Sequence, residues 1–164
     1  MIFDLDHMVQ VLDRHRVDYV LVGGAAALAH GSTLPTTDAD IAPARDRANL
    51  DRLAAALEEL NARIRTEGEP VEFPHDGAFL AAMPAMFNLT TDAGDLDLTM
   101  APAAFPGGYD DLAAGAVRVD FDGVVVLVAS LGDVIASKRA ANRPKDIAAL
   151  PYLETLADLI ARGG

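Results

Sequence analysis

The chain has 164 residues, 51% of them hydrophobic, which is the size of one ordinary domain with a real core. No apolar run approaches the roughly 20 residues that span a bilayer, and no basic segment leads into an apolar N-terminus, so we expect one cytoplasmic domain over residues 1–164 without a membrane partner. The absence of cysteine excludes disulfides and thiolate zinc sites, and the net charge of −12 opposes nucleic-acid binding unless a basic patch or magnesium screens it.

The first half of the chain is predicted to alternate helices with strands. Apolar residues from 5 to 12 recur with helical spacing after Asp4, a residue type that caps helix N-termini. The stretch DYVLVGG predicts a buried strand, and the alanine-rich stretch after it predicts a short helix that stops at Gly31. DADIAP alternates like a short strand, and the leucine spacing from Asp46 to Ile64 predicts the clearest helix.

The second half is predicted to be richer in strands. Residues 66–86 hold three prolines and two glycines, so we expect an irregular loop there that carries acceptor specificity. Two hairpins follow, FNLTT with DLDLTM and AVRVDF with VVVLVA. Ser130 with Asp133 begins a helix, and Pro144 begins a last one that continues past Pro151 to the glycine tail. This order predicts an α/β (α+β) fold, in which helices flank a single mixed sheet.

Two aspartates one residue apart, Asp38 and Asp40, lie in the strand predicted after the glycine pair. Alternate side chains of a strand point the same way, about 6.8 Å apart at roughly 3.4 Å per residue, so both carboxylates can converge on one spot. Like charges repel unless a cation lies between them, and hard carboxylate oxygens suit Mg²⁺ or Mn²⁺. Asp95 and Asp97 on the later strand supply a third carboxylate that would complete a two-metal site for phosphoryl-type displacement.

The glycine pair, Gly23 and Gly24, has the chemistry of a phosphate contact, because residues without a Cβ let the backbone approach a triphosphate. Each motif also has an ordinary explanation. An Asp-x-Asp usually solvates or caps, a Gly-Gly after a strand is more often a turn, and Asp95 with Asp97 fit the solvent face of an edge strand. The ordered combination of the three motifs favours the functional interpretation.

That ordered combination is also the basis of a family resemblance. The pattern G-G-x-A, then T-x-D-x-D-[IV], then G-D-L-D-L resembles the nucleotidyltransferase superfamily, which shares its core with DNA polymerase beta. The ending VASLGDVIASKRAANRPKDIAAL is similar to that of the bacterial branch related to the AbiEii toxins, so the resemblance covers about residues 18–156. It implies the single mixed β-sheet of the nucleotidyltransferase fold, flanked by helices.

The resemblance implies two sets of site residues. The catalytic set binds the divalent metals, Mg²⁺ or Mn²⁺, and consists of Asp38, Asp40 and Asp97. Asp97, rather than Asp95, also helps to activate the acceptor hydroxyl. The nucleotide-binding set holds the phosphates: Gly23, Gly24, Thr37, Lys138, Arg143 and Lys145. Lysine and arginine late in a helix also complement its dipole, so for the basic residues both interpretations stay open.

Two departures from the family pattern concern the acceptor. Leu34 and Pro35 stand where many relatives carry a basic residue, which puts one contact to phosphate or acceptor in doubt. Larger toxins of this branch also have an added helical domain that helps to hold the acceptor, whereas this sequence stops soon after the core.

The sequence therefore predicts a magnesium-dependent enzyme that binds a nucleoside triphosphate such as ATP and transfers its nucleoside monophosphate to an acceptor hydroxyl, with pyrophosphate leaving. By resemblance the acceptor is tRNA or another RNA, and a small molecule such as an antibiotic is the nearest alternative. The competing class is a non-catalytic nucleotide-binding or interaction module of the same fold, and a toxin-antitoxin component with a cognate protein partner fits either class. Three acids favour catalysis, because buried like charges cost stability without a cation.

Overall fold

The computed structural model describes residues 3–163, so the first two residues and the last residue of the predicted domain lie outside the described residues. Helices and strands alternate at first, and two helices close the chain. In chain order the elements are α1 (Leu5–Arg14), β1 (Tyr19–Val22), α2 (Gly23–Ala29), β2 (Asp38–Pro43), α3 (Arg47–Glu59), β3 (Arg63–Ile64), α4 (Gly77–Ala81), β4 (Met86–Thr91), β5 (Gly94–Thr99), α5 (Tyr109–Ala113), β6 (Val117–Phe121), β7 (Val124–Val128), α6 (Leu131–Ala141) and α7 (Pro144–Gly163).

The strands form one mixed sheet in the order β3-β4-β5-β2-β1-β7-β6, which confirms the predicted fold class. Strand β2 pairs antiparallel with β1 and parallel with β5. The β2–β5 register places Asp38 beside Asp95 and Asp40 beside Asp97. Residues that pair across neighbouring strands face the same side of a sheet, so this register sets all four aspartates on one face.

Two groups of helices cover the sheet. Helices α1, α3 and α4 contact one another in succession, and α2, α6 and α7 form a second group. Leucines of α3 and apolar residues of α1 join the strand residues in one hydrophobic core. Among residues 3–163, none of the helices combines the length and apolar character needed to cross a membrane.

Local sequence signals set most of the helix ends. The side chains of Asp4, Asp46 and Ser130 each accept a hydrogen bond from a backbone N–H in the first turn of the following helix. The short helix after β1 ends at Ala29, and Gly31 beyond it has a φ of +102°, as the predicted stop requires. Asp4 is the predicted cap of α1, and α3 and α6 each start one residue after the predicted Asp46 and Ser130, which are their caps.

Two predictions about elements were wrong, and one helix was missed. The helix predicted to reach Ile64 ends at Glu59, because Asn61 takes a φ of +54° and residues 63–64 pair with β4. The segment 66–86 is not wholly irregular, since it contains α4 behind its cap, Asp76. Helix α5 was not predicted at all, because its five residues carry too short a pattern to stand out from a loop.

Candidate active site

Three carboxylates meet on one face of the central strands. Asp38 and Asp40 of β2 and Asp97 of β5 each offer an oxygen, and these oxygens lie within 4.8 Å of one another. Asp97 is only 7% exposed, and the other two are partly buried. Hard oxygen donors at this spacing fit one or two divalent cations of the magnesium type. We call these three residues the acidic cluster.

The acidic cluster is electrostatically unfavourable on its own. Burial, followed by repulsion from the charges of Asp97 and Asp38, raises the pKa of Asp40 to about 7. Burial, followed by repulsion from Asp97, also raises the pKa of Asp38, although Arg65 and Lys145 oppose that shift. Carboxylates in this state need either a bound proton or a nearby cation, which is the property expected of a metal site.

Arg65 is a site residue that the sequence analysis missed. Its Nη2 donates to Asp97 Oδ1 at 2.7 Å, and its Nη1 donates to the backbone oxygen of Leu89 at 2.9 Å. Its Nη1 also lies 3.5 Å from Asp95 Oδ2, so Asp95 pairs with this arginine and stays outside the acidic cluster. No local motif marks Arg65, because only the pairing of β3 with β4 brings it to this place.

The glycine turn at the start of α2, Gly23 and Gly24, lies beside the acidic cluster. Gly23 has a φ of +65°, and a Cβ there would lie 2.2 Å from Asp40 Oδ2. A Cβ on Gly24 would lie 3.1 Å from the hydroxyl oxygen of Thr36. Only a residue without a side chain therefore lets Asp40 occupy its position, so Gly23 has a role beyond that of an ordinary turn.

We expect Gly23→Ala to lower the free energy of unfolding by about 1–2 kcal/mol from backbone strain and to displace the Asp40 carboxylate. The matched control is Gly31→Ala, because Gly31 also has a positive φ, +102°, but a Cβ added there would have no atom within 4 Å. Urea denaturation should show a loss of stability in both variants. Thermal shift with Mg²⁺ and ATP should show loss of ligand stabilisation in Gly23→Ala alone, and equal ligand stabilisation in the two would contradict this role of Gly23.

All the sequence-predicted site residues line one cavity of about 800 Å³. The acidic cluster and the glycine pair belong to its wall, and Thr37 lies beside them. The predicted basic residues Lys138, Arg143 and Lys145 complete this part of the wall. The cavity thus brings together carboxylates, a glycine backbone and cations, the groups that bind a metal–triphosphate complex.

The structure also bears on the two interpretations of the basic residues. Lys138 lies in the last turn of α6, where it fits both a helix dipole and the cavity. Lys145 lies in the first turn of α7, where the dipole disfavours a cation, so the dipole explanation fails there. Lys138 and Arg143 also share a buried partner that was not predicted, Asp146, at 3.6 Å and 2.7 Å.

The comparisons with known proteins agree with this geometry. A family described as "Nucleotidyltransferase of unknown function (DUF6036)" has a model that matches residues 1–156. No curated protein matches the chain by sequence.

Several solved structures share the fold. The lincosamide antibiotic adenylyltransferase LnuA, lincomycin-bound, is 16% identical over 93% of this chain and 95% of that chain, with a TM-score of 0.61. ANT(2'')-Ia in complex with adenylyl-2''-tobramycin is 19% identical over 98% and 97%, with a TM-score of 0.57. The Thermotoga maritima protein TM1012 is 15% identical over 96% and 91%, with a TM-score of 0.53.

Proposed function

The chain belongs to the nucleotidyltransferase family DUF6036, and we propose that it transfers a nucleoside monophosphate from a nucleoside triphosphate to an acceptor hydroxyl, with pyrophosphate leaving. The observation that carries this proposal is the convergence of Asp38, Asp40 and Asp97 beside the glycine turn. Three carboxylates held this close repel one another unless a cation binds between them, so they favour a function that uses a divalent metal.

In the proposed reaction each part of the cavity has its own task. The acidic cluster holds Mg²⁺ or Mn²⁺, which when bound neutralises negative charge on the phosphates. Asp97 accepts the proton of the acceptor hydroxyl while the hydroxyl oxygen forms a bond to the α-phosphorus. The bond from that phosphorus to the leaving pyrophosphate breaks. Arg65 holds Oδ1 of Asp97 and thereby fixes the direction of its other oxygen.

The remaining wall residues hold the nucleotide. The Gly23–Gly24 backbone, with Thr37 beside it, lies close enough to the acidic cluster to contact the phosphates of a bound triphosphate. Lys138, Arg143 and Lys145 offer positive charge to the same phosphates and to the pyrophosphate as it leaves.

The lining of the cavity favours a small-molecule acceptor over RNA. Leu34 and Met86, which are 38% and 49% exposed, present apolar surface to the cavity beside Pro35 and Pro102. Such a wall suits the apolar body of a small ligand. Single-stranded RNA is usually held by aromatic stacking and several cations. Among residues 3–163 no aromatic side chain lines this cavity, and the chain carries a net charge of −12.

RNA remains the second candidate acceptor, and it rests on the resemblance to the AbiEii-related branch. That resemblance also carries the proposed toxin-antitoxin role and the cognate protein partner. The small-molecule proposal has independent support, because LnuA and ANT(2'')-Ia, which share the fold, are described with lincomycin and adenylyl-2''-tobramycin.

We expect labelled ATP or GTP with Mg²⁺ to transfer label to a small molecule in a panel that includes lincomycin and tobramycin, and not to total cellular RNA. Thin-layer chromatography and denaturing gels separate these products. Label on RNA would overturn the choice of acceptor and leave the transfer reaction standing. Binding of the nucleotide without transfer to any acceptor, in a panel of broad chemistry, would favour the non-catalytic module.

A further inference from the structure

Asp146 is a fully buried carboxylate behind the basic wall of the cavity. It lies in the first turn of α7 with 0% of its surface exposed. Arg143 donates to it three times, from Nε at 2.7 Å, from its backbone N at 3.2 Å and from Nη2 at 3.3 Å. The Nζ of Lys138 lies 3.6 Å from Asp146 Oδ1, the oxygen that Arg143 Nη2 also contacts. One carboxylate therefore contacts two cavity cations that come from different segments.

This carboxylate is held in its charged form. Burial by itself raises its pKa, but the hydrogen bonds from Arg143 and the charge of Lys138 outweigh burial, so the pKa of Asp146 lies below its ordinary value. A buried ion pair is commonly no more stabilising than apolar residues of the same volume. Stability alone is thus a weak reason for an aspartate at this position.

A tie between helices is an equally weak reason. Helices α6 and α7 are already joined by an exposed pair, Arg139 with Glu154. Apolar residues of both helices, Val134 and Leu153 among them, also belong to the core and line the cavity. The distinctive property of Asp146 is that both of its cationic partners line the cavity, whereas Arg139 and Glu154 do not.

We propose that Asp146 is a positioning residue that holds Lys138 and Arg143 in the arrangement that receives the triphosphate, an inference that rests on the proposed function. Without Asp146 the two cations repel each other and regain the rotamer freedom of long side chains. With it, both are ordered before the ligand arrives, so binding no longer has to order them. Lys145, which has no salt bridge in the described part of the chain, is left free to follow the ligand.

Positioning by Asp146 and its negative charge have opposite effects on phosphate binding. Asp146 is negative and lies near a site for anions, so through charge alone its removal would tighten phosphate binding. Through positioning, its removal weakens phosphate binding. Asp146→Asn keeps the volume and removes the charge, and we expect it to raise the Kd of Mg²⁺-tripolyphosphate and of Mg²⁺-ATP, measured by calorimetry, about 10-fold.

Two further variants make the test specific. Arg143→Lys keeps the positive charge but loses the paired contacts with Asp146, so this variant should bind tripolyphosphate several-fold more weakly than wild type. Because the Arg143 side chain is 54% exposed, the variant should fold, and it decides the question if Asp146→Asn does not fold. The matched control is Glu154→Gln, which breaks the other α6–α7 ion pair outside the cavity and should leave the Kd unchanged.

Combining substitutions separates positioning by Asp146 from a merely structural role, because positioning predicts effects on the Kd that do not add. In an Arg143→Ala, Lys138→Ala background, Asp146→Asn should have no further effect on the Kd, because its partners are absent. Unchanged or tighter binding by Asp146→Asn, or a full additional loss in that background, would overturn the inference. Wild type that fails to bind tripolyphosphate would also overturn it, whereas wild type that binds tripolyphosphate but transfers no nucleotide counts against the proposed function alone.

Discussion

Asp97→Asn is expected to lower the rate of nucleotidyl transfer about 1,000-fold while leaving the fold intact. Asparagine has the same volume, but it cannot accept the proton of the acceptor hydroxyl and is a weaker ligand for a divalent cation. Asp97 is 7% exposed and one of its oxygens lies within 4.8 Å of oxygens from Asp38 and Asp40, so the substitution removes one of the three carboxylates of the acidic cluster. Initial rates of label transfer to the acceptor measure the effect.

The control for this prediction lies two residues away on the same strand. Asp95 faces the same side of the sheet and contacts the same arginine, Arg65, but it lies outside the acidic cluster. Asp95→Asn should therefore change the rate only a few-fold. A rate for Asp97→Asn within a few-fold of wild type, or an equal loss in the two variants, would show that the acidic cluster is not the reacting centre.

Most of the candidate site could be predicted because its residues follow one another in short patterns. The two-residue period of a strand places Asp38 and Asp40 on one face, and no knowledge of the rest of the fold is needed for that step. The choice of Asp97 as the third acid depended on the family resemblance, because no pattern in its own strand indicates that β5 lies beside β2. The observed register of Asp40 with Asp97 supplies the physical reason for the match.

The residues that were missed depend on contacts between distant segments. Arg65 contacts Asp97, which lies 32 positions later in the sequence, because β3 pairs with β4. The same pairing takes up residues 63–64, which were predicted to be the end of the preceding helix. Asp146 lies in the quoted ending of the sequence, but only the folded structure shows that it is buried and contacts both Lys138 and Arg143. The parallel pairing of β1 with β7, Leu21 beside Val128, likewise has no local signal. Sequence periodicity describes one element at a time, so it predicts faces better than neighbours.

We also expect the protein, free of metal and nucleotide, to become more stable as the pH falls from 8 to 5. Burial, with repulsion inside the acidic cluster, raises the pKa of Asp40 to about 7, whereas an unfolded aspartate titrates near 3.9. Between these values the folded state holds a proton that the unfolded state has lost, so the free energy of unfolding falls as pH rises and levels off above about pH 7. The expected gain from pH 8 to 5 is on the order of a few kcal/mol.

Other carboxylates act in the opposite direction but at lower pH. The pKa of Asp146 is lowered, chiefly because its bonds to Arg143 outweigh burial, so the stability that it contributes is lost only as the pH falls through and below the ordinary carboxyl range. Above pH 5 the acidic cluster should therefore dominate. Urea denaturation at intervals of half a pH unit, with EDTA present, measures the profile.

Asp40→Asn should flatten this profile and raise the stability of the free protein at pH 8, because the amide needs no proton to be buried. The same variant should lose the stabilisation that Mg²⁺ with ATP gives to wild type in a thermal shift, while Asp95→Asn keeps both the wild-type profile and the ligand response. A wild-type protein that loses stability from pH 8 to 5 would contradict the raised pKa of Asp40. An Asp40→Asn variant that Mg²⁺ with ATP stabilises as much as wild type would contradict the metal role of Asp40. We therefore expect Asp40→Asn to be more stable than wild type but inactive, because repulsion among the carboxylates of the acidic cluster costs stability and is needed for function.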